Sequence, residues 1–116
     1  MYKYPEAVLV REQALAMIHI SARTVQVLHK VVGISDYLAW IMMRSQFDEI
    51  HPKTVKRLLT QQDDASKTAV AKALIPYVGE QEWKTDDESD ACAVGIAWLL
   101  QRNMIPVKKR AGRKEK

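Results

Sequence analysis

Asp86, Asp87, Glu88 and Asp90 place four carboxylates within five residues, and a run of small and apolar residues from Ala91 to Leu100 follows at once. Acids gather in the first turn of a helix because the aligned peptide dipoles leave partial positive charge there. The run behind them is apolar nearly all round, which predicts a buried helix rather than an amphipathic one. Asp87 and Asp90 then stand one turn apart on one face. Holding like charges that close suits a divalent cation, which takes carboxylate oxygens as hard ligands. A solvated, acid-capped helix start accounts for the same residues, and both readings are carried forward.

The elements that must position these acids follow from apolar periodicity. Residues 7–10 form a short apolar run expected as a buried strand, with Glu12 just beyond its end, where α/β proteins place chemistry. Residues 15–46 are helical in character, with Ala14, Ile18, Ala22, Val25, Leu28 and Val32 at spacings of three and four; Gly33 either divides this helix or admits a close backbone, and Ser35 and Asp36 are candidate starts of a second piece. Phe47 to Ile50 is a second strand candidate, and Pro52 suits the first turn of a helix reaching Leu59. Residues 60–64 are polar and loop-like. A further helix is expected over residues 65–77, with Pro76 fraying its end. A loop carrying Trp83 and then the acid-led helix, residues 87–102, complete the order. The fold class expected is therefore α/β, helix-rich with few short strands. Two short strands make a small sheet for so much helix, so the reading expects a segment ahead of Met1 to be missing.

Composition narrows the classes. A chain of 116 residues with 47% hydrophobic residues is sized for one core. The formal charge of +4 is uneven: residues 107–116 carry six basic side chains and one acid, leaving the body near −1. Lys108, Lys109 and Arg110 open this tail, which suits phosphate backbones, or else is a disordered, solubilising terminus. A single cysteine, Cys92, excludes an intramolecular disulfide and reads as a small core residue. No apolar run approaches a membrane span and no signal-peptide core is evident, so a cytoplasmic protein is expected.

Four segments, taken in order, resemble the RuvC-type Holliday-junction resolvases, especially their phage-like branch, within the ribonuclease-H-like nucleases. Val8-Leu9-Val10-Arg11-Glu12-Gln13 is similar to the family's strand ending in Glu-Gln. Leu28-His29-Lys30-Val31-Val32-Gly33 resembles the small-residue segment of the helix that follows. Ile50-His51-Pro52-Lys53-Thr54-Val55-Lys56 with Ala65-Ser66-Lys67-Thr68-Ala69-Val70 is similar to a Pro-x-x-Val-Lys segment and a later Ala-x-Lys-x-x-Val. Asp87-Glu88-Ser89-Asp90-Ala91-Cys92-Ala93 resembles the closing Asp-x-x-Asp-Ala-x-Ala. The likeness spans residues 5–102 and rests on order and spacing together.

The resemblance implies a partial ribonuclease-H-like domain over residues 1–106 with a basic tail over 107–116, cutting branched DNA such as four-way junctions in phage or prophage recombination. It implies Mg²⁺ or Mn²⁺ held by Glu12, Asp87 and Asp90, with Lys67 beside the scissile phosphate as a catalytic group. Lys53, Lys56 and Lys67, with Lys108, Lys109 and Arg110 of the tail, are the implied DNA contacts. A homodimer is implied too. Two departures stand out. The loop between the two lysine segments reads Thr60-Gln61-Gln62-Asp63-Asp64 where the family is glycine-rich. The family's first catalytic Asp, on an opening strand, has no counterpart, since the eleven residues before Glu12 hold one acid, Glu6. This implies an N-terminally incomplete domain, a partner segment supplying the strand, or an inactive descendant.

Other residues carry weaker signals. His19, His29 and His51 are too scattered to share a metal. The stripe Ile18, Ala22, Val25, Val32 is ordinary core, or by resemblance part of a dimer interface. Trp40, Met42 and Met43 are gap-filling core, or an exposed patch if what covers them is absent. Trp83 either packs over its loop or stacks on a base. The alternative to a nuclease is a non-catalytic helical interaction or nucleic-acid-binding module. A small helical DNA-binding regulator is disfavoured because no helix carries an Arg-, Asn- and Gln-rich recognition face.

Overall fold

The computed structural model describes residues 7–13 and 21–108. The chain is helix-rich with a small parallel sheet of two strands, α/β in the coarse sense. It divides into two compact units, Met1–Glu49 and Ile50–Lys116.

The first unit begins with β1 (Val10–Glu12) and continues through α1 (Ala22–Met43) to β2 (Asp48–Ile50), whose last residue opens the second unit. Parallel strands cannot be joined by a tight turn, and α1 is the crossover they require. The Asp48 N–H donates to the Leu9 carbonyl at 2.8 Å. β1 lies later in the chain than the apolar run predicted: Val8 is exposed, and Glu12 is the strand's last residue rather than a residue past its end. Arg11, in the middle of the strand, is its most connected side chain. Its guanidinium reaches Glu49 Oε2 at 2.9 Å, Asp36 Oδ1 at 2.8 Å and Ser35 Oγ at 2.9 Å, and it lies 4.5 Å from the Phe47 ring centroid. One side chain thus ties β1 to β2 and to α1. Arg11→Met is expected to lower stability by about 2 kcal/mol, because a planar fork with several charge-assisted bonds is lost while its carboxylate partners, themselves half in water, can resolvate. The midpoint of urea unfolding measures this.

α1 runs unbroken for 22 residues. Gly33 neither divides it nor meets a close neighbour, since a Cβ placed there finds nothing within 4 Å. Ser35 does not start a helix. Its hydroxyl donates to the Val32 carbonyl at 2.8 Å while accepting from Arg11, so it bonds back within the helix instead of capping. The actual N-cap is Ser21, whose hydroxyl accepts from the Thr24 N–H at 3.1 Å. Arg44 closes the helix in the left-handed conformation, its N–H bonded to the Trp40 carbonyl at 2.9 Å. Ala39 is buried and Val25, Val32 and Met43 are half-buried on one side, whereas Ala22 is exposed and Ile18 lies outside the described residues.

The second unit is helical: α2 (Pro52–Thr60), α3 (Lys67–Ala73), α4 (Ile75–Val78) and α5 (Asp86–Gln101). His51 caps α2, with Nδ1 accepting from the Lys53 N–H at 3.0 Å, and Pro52 takes the first turn, where no N–H is needed. Ser66 caps α3 by accepting from the Ala69 N–H at 3.1 Å. The single helix expected over 65–77 is two pieces. Pro76 does not merely fray an end; it sits in the first turn of α4, and the chain turns at Leu74.

α5 packs on α2 and α3, and α2 packs on α3. Their shared core holds Val55, Val70, Leu74, Val94 and Leu100, with Ala93 and Ala97 letting the helices approach closely. The acid-led helix is therefore not buried all round: Ser89, Ala93, Ala97 and Leu100 form its inward face, and Ala91 is exposed. Among the described residues no helix is long and apolar enough to cross a membrane.

Candidate functional site

The start of α5 assigns different work to its four acids. Glu88 reaches back and accepts from the Lys84 N–H at 2.8 Å, one residue further out than the backbone half of a capping box. Ser89 is buried and donates to the Asp86 carbonyl at 3.0 Å, which seals the first turn from within. Thr85 holds the N-cap position without a side-chain bond. Glu88 is thereby explained by helix formation, and Asp86 and Asp87 complement the helix dipole in the first turn; Asp90 lies beyond it.

Asp90 is half-exposed and pairs with Lys67, Nζ to Oδ2 at 3.4 Å; Asp87 stands one turn earlier and is exposed. Lys67 is the first residue of α3, so the Ser66 cap sets where its side chain leaves the backbone, and the packing of α3 on α5 brings it to the acids. The pair is an ion pair open to solvent. Two hard carboxylates one turn apart match the way Mg²⁺ is usually held, by one or two carboxylates with water and phosphate completing the shell.

Of the remaining sequence candidates, Lys56 is half-buried on α2 and Lys53 is exposed in its first turn. Lys108 is exposed, and its backbone is held by Tyr77, whose phenol oxygen accepts from the Lys108 N–H at 2.9 Å. Lys109 and Arg110 lie outside the described residues. Glu12 belongs to the first unit, at the end of β1, and is exposed. Among the described residues, no group of three or more His, Cys, Asp and Glu side chains is gathered as a metal site.

The glycine-poor loop after α2 finds its turn without glycine. Gln61 adopts φ of 66°, in the left-handed region, and its N–H bonds the Arg57 carbonyl at 2.8 Å. Asp63 sits 3.8 Å from Arg57, so part of the negative charge expected to repel phosphate is offset locally. His51 is spent as a cap, His29 is exposed, and His19 lies outside the described residues. Trp83 is half-buried and lines a cleft with Lys72, Leu74 and Ile75. Cys92 is half-buried as well, and burial pushes its thiol up, away from the thiolate a nucleophile needs.

Sequence reasoning missed Arg11. Its partners lie 24 and 38 residues away, and nothing local to the strand marks it. The chain matches no protein-family model, no curated protein and no solved structure.

Proposed function

We propose that this chain is a RuvC-like, divalent-metal-dependent nuclease of branched DNA, built on part of a ribonuclease-H-like fold. The observation that carries the reading is the Asp87–Asp90–Lys67 cluster: two carboxylates in one helical turn with an ammonium at one of them. Asp87 and Asp90 would hold Mg²⁺ or Mn²⁺. The cation, when bound, supplies Lewis acidity to phosphodiester hydrolysis. Lys67 would place positive charge where it builds up on the phosphate. Lys53 and Lys56 on α2, with Lys108, Lys109 and Arg110 in the tail, would add sequence-independent backbone attraction that weakens with salt. A homodimer and a cytoplasmic setting belong to the same proposal.

The test is calorimetric titration of the purified chain with Mn²⁺ beside a Glu12→Gln/Asp87→Asn/Asp90→Asn variant. The expected result is saturable binding in the chain and none in the variant. Equal heats in both, with both folded by circular dichroism, would leave the second reading: a helical interaction or nucleic-acid-binding module. The exposed basic residues of α2 and the anchored start of the basic tail favour that reading next.

A further inference from the structure

The segment that follows α4 lies beside the α3–α4 corner and leaves a cleft of about 260 Å³ between the two. Ala71, Leu74, Ile75 and Trp83 give it apolar walls, and Lys72 and Glu80, both exposed, line it as charged groups. Gly79 turns the chain with φ of 75°, and its N–H bonds the Ile75 carbonyl at 2.8 Å. Before Trp83, Gln81 Nε2 donates to the Val78 carbonyl at 2.8 Å; after it, the Lys84 N–H bonds Glu88 at 2.8 Å. Trp83 is thus braced on both sides by bonds that do not use its ring. Among the described residues, the side chains of Trp83, Lys72 and Glu80 have no hydrogen bond, ion pair or ring contact.

We infer that this cleft takes one unpaired nucleotide of a DNA strand, its base against Trp83 and its phosphate at Lys72. On the reading that the chain acts on branched DNA, on which this rests, the nucleotide is one that a junction or fork exposes beside its branch point. Size and charge select this occupant. A cleft of about 260 Å³ lies below the roughly 300 Å³ at which sites for whole small molecules begin, so it admits a single ring system. Single strands are held where an aromatic side chain stacks on a base and a cation meets the backbone. Glu80 supplies an acceptor for the exocyclic amino group that cytosine and adenine carry and thymine lacks. An apolar side chain of a partner protein would fill the walls and leave Lys72 and Glu80 unused. Lys72 also follows Lys67 by five residues on α3, about 7.5 Å of helix rise, so a strand with one phosphate at Lys67 brings its next nucleotide toward the cleft.

Fluorescence anisotropy of a short labelled oligodeoxycytidylate with the full chain, in EDTA, tests this apart from the metal. The chain is expected to bind that strand roughly 5- to 150-fold more tightly than an abasic strand of the same length, the range of one base–aromatic stack. Trp83→Ala should abolish the ratio by weakening the cytidylate alone, and Trp83→Phe, which keeps a ring, should retain most of it. Lys72→Gln, at an exposed position, should weaken both strands and lower the salt slope of binding by about 0.7. Circular dichroism checks that each variant is folded. Failure to bind either strand, equal affinity of the unaltered chain for both, or a ratio that survives Trp83→Ala would overturn the inference. Cytidylate preference in a chain that neither binds Mn²⁺ nor cleaves junctions would uphold it while removing the nuclease reading.

Discussion

Asp90→Asn is expected to lower Mn²⁺-dependent cleavage of a four-way DNA junction by at least about 10³-fold, since it removes one of the carboxylates proposed to hold the cation. Lys67→Gln is expected to lower it by about 10²-fold, the typical cost of losing one group that stabilises charge in the transition state. The paired stability measurement gives these expectations their force. Lys67 and Asp90 are 68% and 42% exposed at a separation of 3.4 Å. An ion pair in that setting contributes well under about 1 kcal/mol. Neither substitution should therefore move the urea midpoint appreciably. Lost cleavage with unchanged stability would assign the pair a chemical role. Matching losses in both would make it a structural tie between α3 and α5. If the unaltered chain does not cleave under conditions where it binds Mn²⁺, the cluster holds a cation without completing a nuclease site.

Leu74→Ala is expected to have the largest effect on stability, a loss of about 3 to 4 kcal/mol. Leu74 is 1% exposed and sits where α3 gives way to α4, facing the core shared with α2 and α5. Truncation removes its transfer energy and leaves a cavity. The surrounding helices can collapse little, because Ala93 and Ala97 already let them approach closely. Denaturant unfolding followed by helical circular dichroism measures the loss. A loss below about 1 kcal/mol would mean that the corner at Leu74 can re-form around the smaller side chain, and the α3–α4 break would then be softer than its geometry suggests. Asp90 and Lys67 ride on the helices this core holds, so Leu74→Ala should also weaken Mn²⁺ binding, in contrast to the stability-neutral Lys67→Gln.

Local signals in the sequence determined most element starts. His51-Pro52, Ser66 and the acids at residues 86–88 each satisfy or complement orphan backbone groups within a few residues, so they act before any tertiary contact forms. Phe47 to Ile50 read as a strand segment, and the strand is Asp48–Ile50, a short piece stopped by His51-Pro52. The Asp87–Asp90 spacing was likewise legible, because one helical turn is a local fact. What the chain could not show was anything set by distant partners. Arg11 binds Ser35 and Asp36 within α1 from 24 and 25 residues upstream, a pairing no local signal marks. Within β1, Arg11 meets Glu49 and Phe47, partners 38 and 36 residues away that the sequence around the strand does not mark. Which side of α5 is buried, and that Lys67 comes to Asp90, were decided by how α2, α3 and α5 pack, since a helix apolar nearly all round carries no mark of which face meets its neighbours. α1 follows the same logic: its apolar spacing is written in the sequence, but only tertiary structure divides the helix into a used side and an open one.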